Sequence, residues 1–369
     1  MNEAWVPPPY PYDRLAPLRA KGAALAGGLV DLSIGDPSDP PPPEVVAALS
    51  SSGAERGYPT SVGSPAFREA AAAWMQQRLG VSVPTAQIGA CVGTKELVAG
   101  LPGWLHLRRP DRDTVLFPAV SYPSYAMGAL LAGCRAVPVP MDEAWRIDVG
   151  AISEEDAARA LCLWVNTPGN PAGGLDDLTA VAAWGRARGV PVLSDECYVE
   201  FTWAGPARTI LATGTDGVIA VHSLSKRSNM AGVRTGFYAG DAGLMAFLLE
   251  IRKHAGLMTP GPVLAAAVAA LGDQVHVDAQ RERYRARLAR LREILAAAGI
   301  DAPLPGGGFY VWAPAPDGDD WALVERLAAD GGLLGSPGEF YGDAGRGHVR
   351  LAAVAPMERL DVVAKRLGA

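Results

Sequence analysis

Short apolar runs recur through the middle of the chain, each flanked by turn-forming residues. They are Thr114-Val115-Leu116-Phe117, Leu161-Cys162-Leu163-Trp164-Val165, Val190-Pro191-Val192-Leu193 and Gly217-Val218-Ile219-Ala220-Val221. Runs this short, without polar alternation, predict strands buried on both faces. Between them lie longer stretches with helical spacing, around Pro65 to Leu79, Tyr122 to Ala132 and Leu175 to Arg188. Strand–helix alternation of this kind predicts an α/β fold, a mostly parallel sheet covered by helices on both faces.

The flanks differ from this centre. The first 45 residues are Pro-rich and weakly periodic, ending in SDPPPPEVVAAL. Proline removes a backbone donor and restricts the residue before it, so this part reads as an extended crossing segment that enters a helix from about Glu44. Late in the chain, a long amphipathic helix from roughly Gln274 to Ala298 carries QRERYRARLARLREIL. PGGGFYVWAP, a helix from about Trp321 and a closing strand–helix pair, HVRLAAVAP and MERLDVVAKRL, follow it. This later part reads as a smaller α+β domain hinged at the long helix. The expected division is 1–45 as an N-terminal arm and part of the small domain, 46–276 as the large domain and 277–369 as the small C-terminal domain.

Composition narrows the function classes. Hydrophobic residues make up 49% and charged residues 20% of 369 positions, a soluble globular balance. A net charge of -6 without any basic block argues against nucleic acid. The longest apolar stretch, near Gly261 to Gly272, is too short to span a bilayer, so no membrane role is expected. MNEAWVPPPYPYDRL lacks the basic start and apolar core of a secretory signal. Cys91, Cys134, Cys162 and Cys197 are far apart with no C-x-x-C pair, which points to a reduced, cytoplasmic protein using neither metal nor disulfide.

Candidate chemistry begins at Ser223-Leu224-Ser225-Lys226, with Arg234 eight residues after the lysine. A lysine partly desolvated near another cation loses its proton at low cost, and a neutral amine attacks aldehydes. Two serines and an arginine make a cradle for a phosphate dianion. An aldehyde and a phosphate on one small molecule describe pyridoxal 5'-phosphate. An ordinary surface-loop lysine is the competing reading of this segment alone.

Five further segments bear on that choice, and open α/β sheets place their sites at the C-terminal ends of strands. Asn166-Thr167-Pro168-Gly169-Asn170-Pro171-Ala172-Gly173 follows a buried run and is either a good turn or a site loop. Asp195, in Ser194-Asp195-Glu196-Cys197-Tyr198, is a helix cap or a partner for a pyridinium nitrogen. Gly93-Thr94-Lys95-Glu96 opens a helical pattern whose backbone N–H groups suit phosphate. Ser121-Tyr122-Pro123-Ser124-Tyr125 offers a ring for stacking or for core packing. Arg350, in the apolar strand His348-Val349-Arg350-Leu351, needs a carboxylate partner, either a ligand's or the protein's own.

The ordered set Gly35, Tyr58, Thr94, Tyr122, Asn170, Asp195, Tyr198, Ser223, Lys226, Arg234 and Arg350 resembles the fold-type I pyridoxal-phosphate aminotransferases of class I/II, over nearly the whole chain. The resemblance implies a pyridoxal 5'-phosphate cofactor in the large domain and the following roles. Lys226 is the covalent anchor of the cofactor and later moves the α-proton. Asp195 partners the pyridine nitrogen, Asn170 and Tyr198 donate to the phenolic oxygen, and Tyr122 stacks on the ring. Thr94, Ser223, Ser225 and Arg234 form the phosphate cup, with Lys95 beside it and Tyr58 reaching in from a second subunit of a homodimer. Gly35 and Arg350 hold the substrate α-carboxylate. Two departures are visible: Ala172 replaces the hydroxyl residue of N-P-T-G, and two extra residues separate Pro118 from Tyr122.

Within the family, DLSIGDPSDPPPPEVVAAL, VGTKELVAGLP, FPAVSYPSY and HSLSKRSNMAGVRTGF look most like the succinyldiaminopimelate aminotransferases of actinobacterial lysine biosynthesis. That implies exchange of an amino group between glutamate and N-succinyl-2-amino-6-ketopimelate. Such a substrate carries carboxylates far from the reacting carbon; Lys95 is the first candidate to bind them and Arg227 the weaker second. Alternatives are an aminotransferase of another amino acid and keto acid pair, or a C–S lyase acting on cystathionine by β-elimination. A cofactor-binding regulator is disfavoured, because neither a helix-turn-helix module nor a basic segment precedes Pro37.

Overall fold

The computed structural model describes residues 6–369. Its main sheet has seven strands, β1 (Ile88–Cys91), β2 (Thr114–Pro118), β3 (Arg135–Val139), β4 (Ala160–Asn166), β5 (Val192–Asp195), β6 (Val218–Ser223) and β7 (Gly236–Gly240). They lie in the order β1-β7-β6-β5-β4-β2-β3. The contacts from β6 across to β3 are parallel, and β7 alone runs against both neighbours. The mostly parallel sheet expected from the apolar runs is present, with those runs as β2, β4, β5 and β6.

Alternation of side chains across β4 builds two layers at once. Leu163 and Val165 join a core with Phe67, Trp74 and Val181 from the helices Pro65–Trp74 and Leu178–Arg188. Cys162 and Trp164 face the other way, onto Leu97, Leu101 and Tyr125 from the helices Thr94–Arg108 and Ser124–Leu131. Every residue of β4 is buried, so the polar-apolar alternation of a half-exposed strand never arises. β1 and β7 are wholly buried as well, but Ile88-Gly89-Ala90-Cys91 and Gly236-Phe237-Tyr238-Ala239-Gly240 are interrupted by small residues and so do not stand out as apolar runs.

Helix boundaries follow their caps. Ser64 accepts from the Phe67 amide with Pro65 in the first turn, and this helix gives way to a π-helical turn over Met75–Leu79 that ends at left-handed Gly80. The helix predicted from Leu175 starts at Leu178, because Asp177 caps it through the Thr179 and Ala180 amides. That predicted from Tyr122 starts at Ser124.

The N-terminal part corrects the extended segment expected there. Pro11–Leu15 form a 3-10 turn that leads into an α-helix at Ala16–Ala23. Only Leu18 and Gly22 of that helix are buried, a stripe too thin to register as periodicity. The chain then pairs Val30–Asp31 in parallel with Leu333–Leu334. A three-stranded antiparallel sheet follows the long helix Val275–Ala297: β8 (Tyr310–Pro314), β9 (Ser336–Pro337) and β10 (His348–Ala352), in the order β9-β10-β8. Asp39 ties the N-terminal segment to the long helix through two bonds from Arg287, at 2.6 and 2.7 Å. Among the described residues no helix is long and apolar enough to cross a membrane.

Candidate active site

The C-terminal ends of β4, β5 and β6 deliver Asn166, Asp195 and Ser223 to one edge of the main sheet. A cavity of about 210 Å³ opens there, and it is lined by Gly35, Thr94, Lys95, Tyr122, Asn170 and Asp195 together with Tyr198, Ser223, Ser225, Lys226, Arg234 and Arg350. Of the residues expected to hold the cofactor, only Tyr58 lies elsewhere: it is 99% exposed on the surface of the chain.

Lys226 sits in the four-residue helix Leu224–Arg227, which Ser223 caps by accepting from the Ser225 amide at 3.1 Å. Its ammonium donates to the Gly35 carbonyl. Burial is the main influence on Lys226 and, against the opposing pull of Asp36, brings it down to about 8. A β-carbon at Gly35 would lie 2.1 Å from the Tyr310 hydroxyl, so a side chain there would occupy the cavity wall.

Asp195 is 7% exposed and has no cationic partner among the described residues. Burial raises its pKa, while hydrogen bonds from Cys197 and from the Tyr125 hydroxyl oppose that rise. The Tyr125 hydroxyl donates to Oδ2 at 2.8 Å and the Cys197 amide to Oδ1 at 3.2 Å. Asn166 fixes the same corner, donating to the Asp195 carbonyl at 2.9 Å and accepting from the Asn170 amide at 2.7 Å.

Arg350 is buried at 2% exposure on β10. It donates to Asn170 Oδ1 at 2.9 Å and to the Ser33 carbonyl at 2.5 Å, and its guanidinium lies 4.4 Å from the Tyr310 ring centre and 4.8 Å from that of Tyr341. Its Nε has no partner among the described residues. The internal salt bridge that competes for this arginine in sequence does not form among the described residues, which leaves a buried cation facing a cavity.

The opposite chemistry lies at the start of Thr94–Arg108. This helix has no side-chain cap at Gly93, which leaves first-turn amides available to a ligand. Gly93 takes φ +74°, and a β-carbon there would sit 2.1 Å from the Arg234 guanidinium. Among the described residues Arg234 itself bonds only the Ala231 carbonyl, at 2.8 Å. Unpaired N–H groups beside an arginine and two serines form a ready anion cradle.

Two cations named from sequence separate here. The Lys95 ammonium lies 5.7 Å from the Tyr122 ring centre and 5.8 Å from that of Tyr10, at the cavity edge. Arg227 is corrected as a substrate contact: it is buried away from the cavity, bonded to Glu200 at 3.3 Å and to the Ala270 carbonyl at 2.8 Å. Successive residues on a helical turn point in different directions, so adjacency to Lys226 does not bring Arg227 to the site.

The structure also adds residues that sequence reasoning did not single out. Tyr125 holds Asp195, and Tyr310 shares a 2.8 Å hydroxyl contact with Tyr198. Tyr12 meets Tyr341 hydroxyl to hydroxyl at 3.0 Å. The only available signal was position: Tyr125 lies in the quoted aromatic loop, and Tyr310 in the PGGGFYVWAP strand.

The cavity therefore holds a buried acid lacking a cation, a buried arginine lacking an anion, an uncapped helix start with arginine and serines, and an amine brought near neutrality. Pyridoxal phosphate fits three of these: its ring nitrogen would answer Asp195, its phosphate the cradle and its aldehyde Lys226, which leaves Arg350 for a substrate anion. These parts define an α/β enzyme that works through this cofactor. The family model for aminotransferase class I and II matches residues 28–367, and the chain belongs to that family. It is a pyridoxal-phosphate-dependent aminotransferase of the fold-type I kind.

Relatives of several specificities share this frame. The chain is 42% identical over 98% of its length to 4-dedimethylamino-4-oxo-anhydrotetracycline transaminase OxyQ of Streptomyces rimosus, 99% of which is covered. It is 34% identical, over 98% of the chain and 95% of the relative, to LL-diaminopimelate aminotransferase of Desulforudis audaxviator. A solved structure of a probable N-succinyldiaminopimelate aminotransferase from Thermus thermophilus superposes with a TM-score of 0.87 at 31% identity, covering 97% of this chain and 99% of that one.

Proposed function

We propose that this aminotransferase exchanges an amino group between glutamate and N-succinyl-2-amino-6-ketopimelate. The observation that carries the reading is the pair of cations left without a carboxylate among the described residues, Arg350 inside the cavity and Lys95 at its edge. An amino acid with one carboxylate engages one of them. A substrate with further carboxylates beyond the reacting carbon engages both. The likeness to aminotransferases named for diaminopimelate and its N-succinyl derivative supports the same choice.

In this reading Arg350 and Gly35 hold the α-carboxylate, and Lys226 Nζ takes the proton from the substrate α-carbon and returns it. The cofactor, when bound, supplies the electron sink. Asp195 keeps the ring nitrogen protonated, Asn170 and Tyr198 hold the phenolic oxygen, and Tyr122 covers the ring face. Thr94, Ser223, Ser225 and Arg234 hold the phosphate, and Tyr58 from a second copy completes that cup in a homodimer. Domains divided near residues 45 and 276, and a cytoplasmic location, belong to the same proposal.

Coupled transamination with glutamate tests it. Turnover of the succinylated keto acid is expected, and no turnover alongside good use of another acceptor rejects the substrate. A second reading, a bulky cyclic ketone as acceptor, is favoured by the 42% identity to OxyQ. Its signature is a preference for polycyclic ketones over any dicarboxylate. Pyruvate release from cystathionine without a keto acid would instead indicate a lyase.

A further inference from the structure

Beside the cofactor cavity lies a groove of about 540 Å³. Its walls come from the N-terminal arm around Tyr10, from Met127 and Leu130 of the helix Ser124–Leu131, and from the turn Gly338–Tyr341 with Phe340. Tyr10, Tyr12, Lys95 and Tyr122 line both the groove and the cavity. A substrate too long for the cavity therefore extends past these four side chains. Tyr10 is 54% exposed and Leu130 46%, so part of this apolar wall is open to solvent.

Charge distinguishes the groove from a simple apolar cleft. Its lining includes three cations, Arg14, Lys95 and Arg346, against one carboxylate, Glu339. That carboxylate is already engaged: Arg14 bonds it at 2.7 Å, Arg346 at 2.6 Å, and the Trp321 indole N–H at 2.8 Å, while Arg346 also bonds Asp343, outside the groove lining, at 3.3 Å. Lys95 is held by the faces of Tyr10 and Tyr122 and has no acidic partner among the described residues. The surplus is one positive charge, carried by Lys95, beside walls that would cover methylene groups.

We propose that this groove is the subsite for the distal arm of the acceptor, an acylated chain whose methylene segments lie on the apolar walls and whose carboxylates, one beside the amide and one at the end, meet the cations. The inference rests on the long-acceptor reading given above. Tyr10, Met127 and Phe340 cover the chain, Lys95 stands where it leaves the cofactor cavity, and Arg346, whose terminal nitrogens bond Glu339 and Asp343, offers its Nε–H side to the terminal carboxylate. A neutral polycycle would use the same aromatic faces and leave the positive surplus unanswered.

The test uses the cofactor-loaded enzyme and compares kcat/KM for N-succinyl-2-amino-6-ketopimelate with that for 2-oxoglutarate. Met127→Trp, which adds bulk inside the groove, is expected to lower that ratio about tenfold, the scale of a lost apolar and polar contact set. Arg346→Gln is expected to lower it about threefold at low salt, and less as salt rises. An unchanged ratio in both variants overturns the subsite. Should the wild-type enzyme ignore the succinylated acid, the substrate reading fails by itself. The groove is then tested with one N-acylated keto acid carrying either a terminal carboxylate or its methyl ester. A preference for the acid that Arg346→Gln abolishes upholds the groove, and equal use of the two overturns it.

Discussion

Arg350 and Arg227 are both buried, at 2% and 3% exposure, and the protein treats them in opposite ways. Arg227 lies behind the cofactor cavity in a closed network: Glu200 accepts from it at 3.3 Å, from the Trp74 indole at 2.7 Å and from Arg78 at 3.1 and 3.2 Å. Arg350 faces the cavity with a carbonyl, an amide oxygen and two tyrosine rings, and no acid. Burying a charge without a counterion is costly, so the closed network holds the fold and the open cation is kept for a ligand. The same contrast separates Glu200, fully engaged, from Asp195, which waits for a cation.

The largest effect tests the amine in the open region. Lys226→Ala should lower kcat by on the order of 10⁴-fold while thermal stability near pH 7 stays level or rises, since the cost of burying the protonated amine has gone. In the cofactor-free enzyme, Lys226 at about 8 against an ordinary 10.5 gives a definite pH signature. The rate of cofactor capture, followed by absorbance, should rise as pH passes through about 8, where the neutral nucleophile forms. Stability has the same sign: below about 8 both states carry the proton and the burial cost is fully present, and it is relieved as pH rises toward 10.5. A flat capture rate over this range would remove the amine from its assigned part.

Next in size is Arg350→Met. Loss of a charge-assisted carboxylate clamp should lower kcat/KM by about 10²- to 10³-fold for every amino acid substrate, mainly through KM. Stability should stay level or rise, because an uncompensated buried charge has gone. Arg227→Met should behave in reverse, costing about 2 kcal/mol in denaturant unfolding because Glu200 keeps only Arg78 of its two guanidiniums, with activity preserved in the folded fraction. Adding Glu200→Gln should restore part of that loss. Equal loss of stability in Arg350→Met and Arg227→Met would erase the distinction between open and closed charge.

That distinction also explains what could be read from the chain alone. Lys226, Asp195 and Arg234 stand out because each sits among sequence neighbours that serve the same chemistry, whether flanking serines, a strand end or a glycine-bearing turn. The four central strands were legible as apolar runs for the same local reason. Tyr12 and Tyr341 meet across 329 positions, and Tyr198 and Tyr310 across 112. Nothing local marks such pairs: Tyr12 and Tyr341 lie in the two 3-10 turns Pro11–Leu15 and Gly338–Tyr341, and Tyr310 on β8 reaches Tyr198 just past β5. Arg227 shows the reverse error, in which a neighbour of the key lysine belongs to another region because the short helix turns it inward.

Tyr125→Phe makes the smallest change, and it probes the boundary between the two regions. The ring packs on Trp164 with centroids 5.2 Å apart, as a core residue does, while its hydroxyl bonds Asp195 at 2.8 Å, as a site residue does. Phenylalanine keeps the packing and deletes the donor. A hydrogen bond to a carboxylate contributes about 1.5 kcal/mol, so cofactor affinity should fall about tenfold, measured by equilibrium binding to the cofactor-free enzyme. Burial already raises the pKa of Asp195 and this donor opposes the rise, so its loss should raise the pKa further. The acid needed opposite the ring nitrogen then ionises only at higher pH, and the acidic limb of kcat/KM should move upward. Were affinity and that limb both unchanged, the hydroxyl would belong with the closed, structural charges, and Asp195 would owe its state to the cofactor alone.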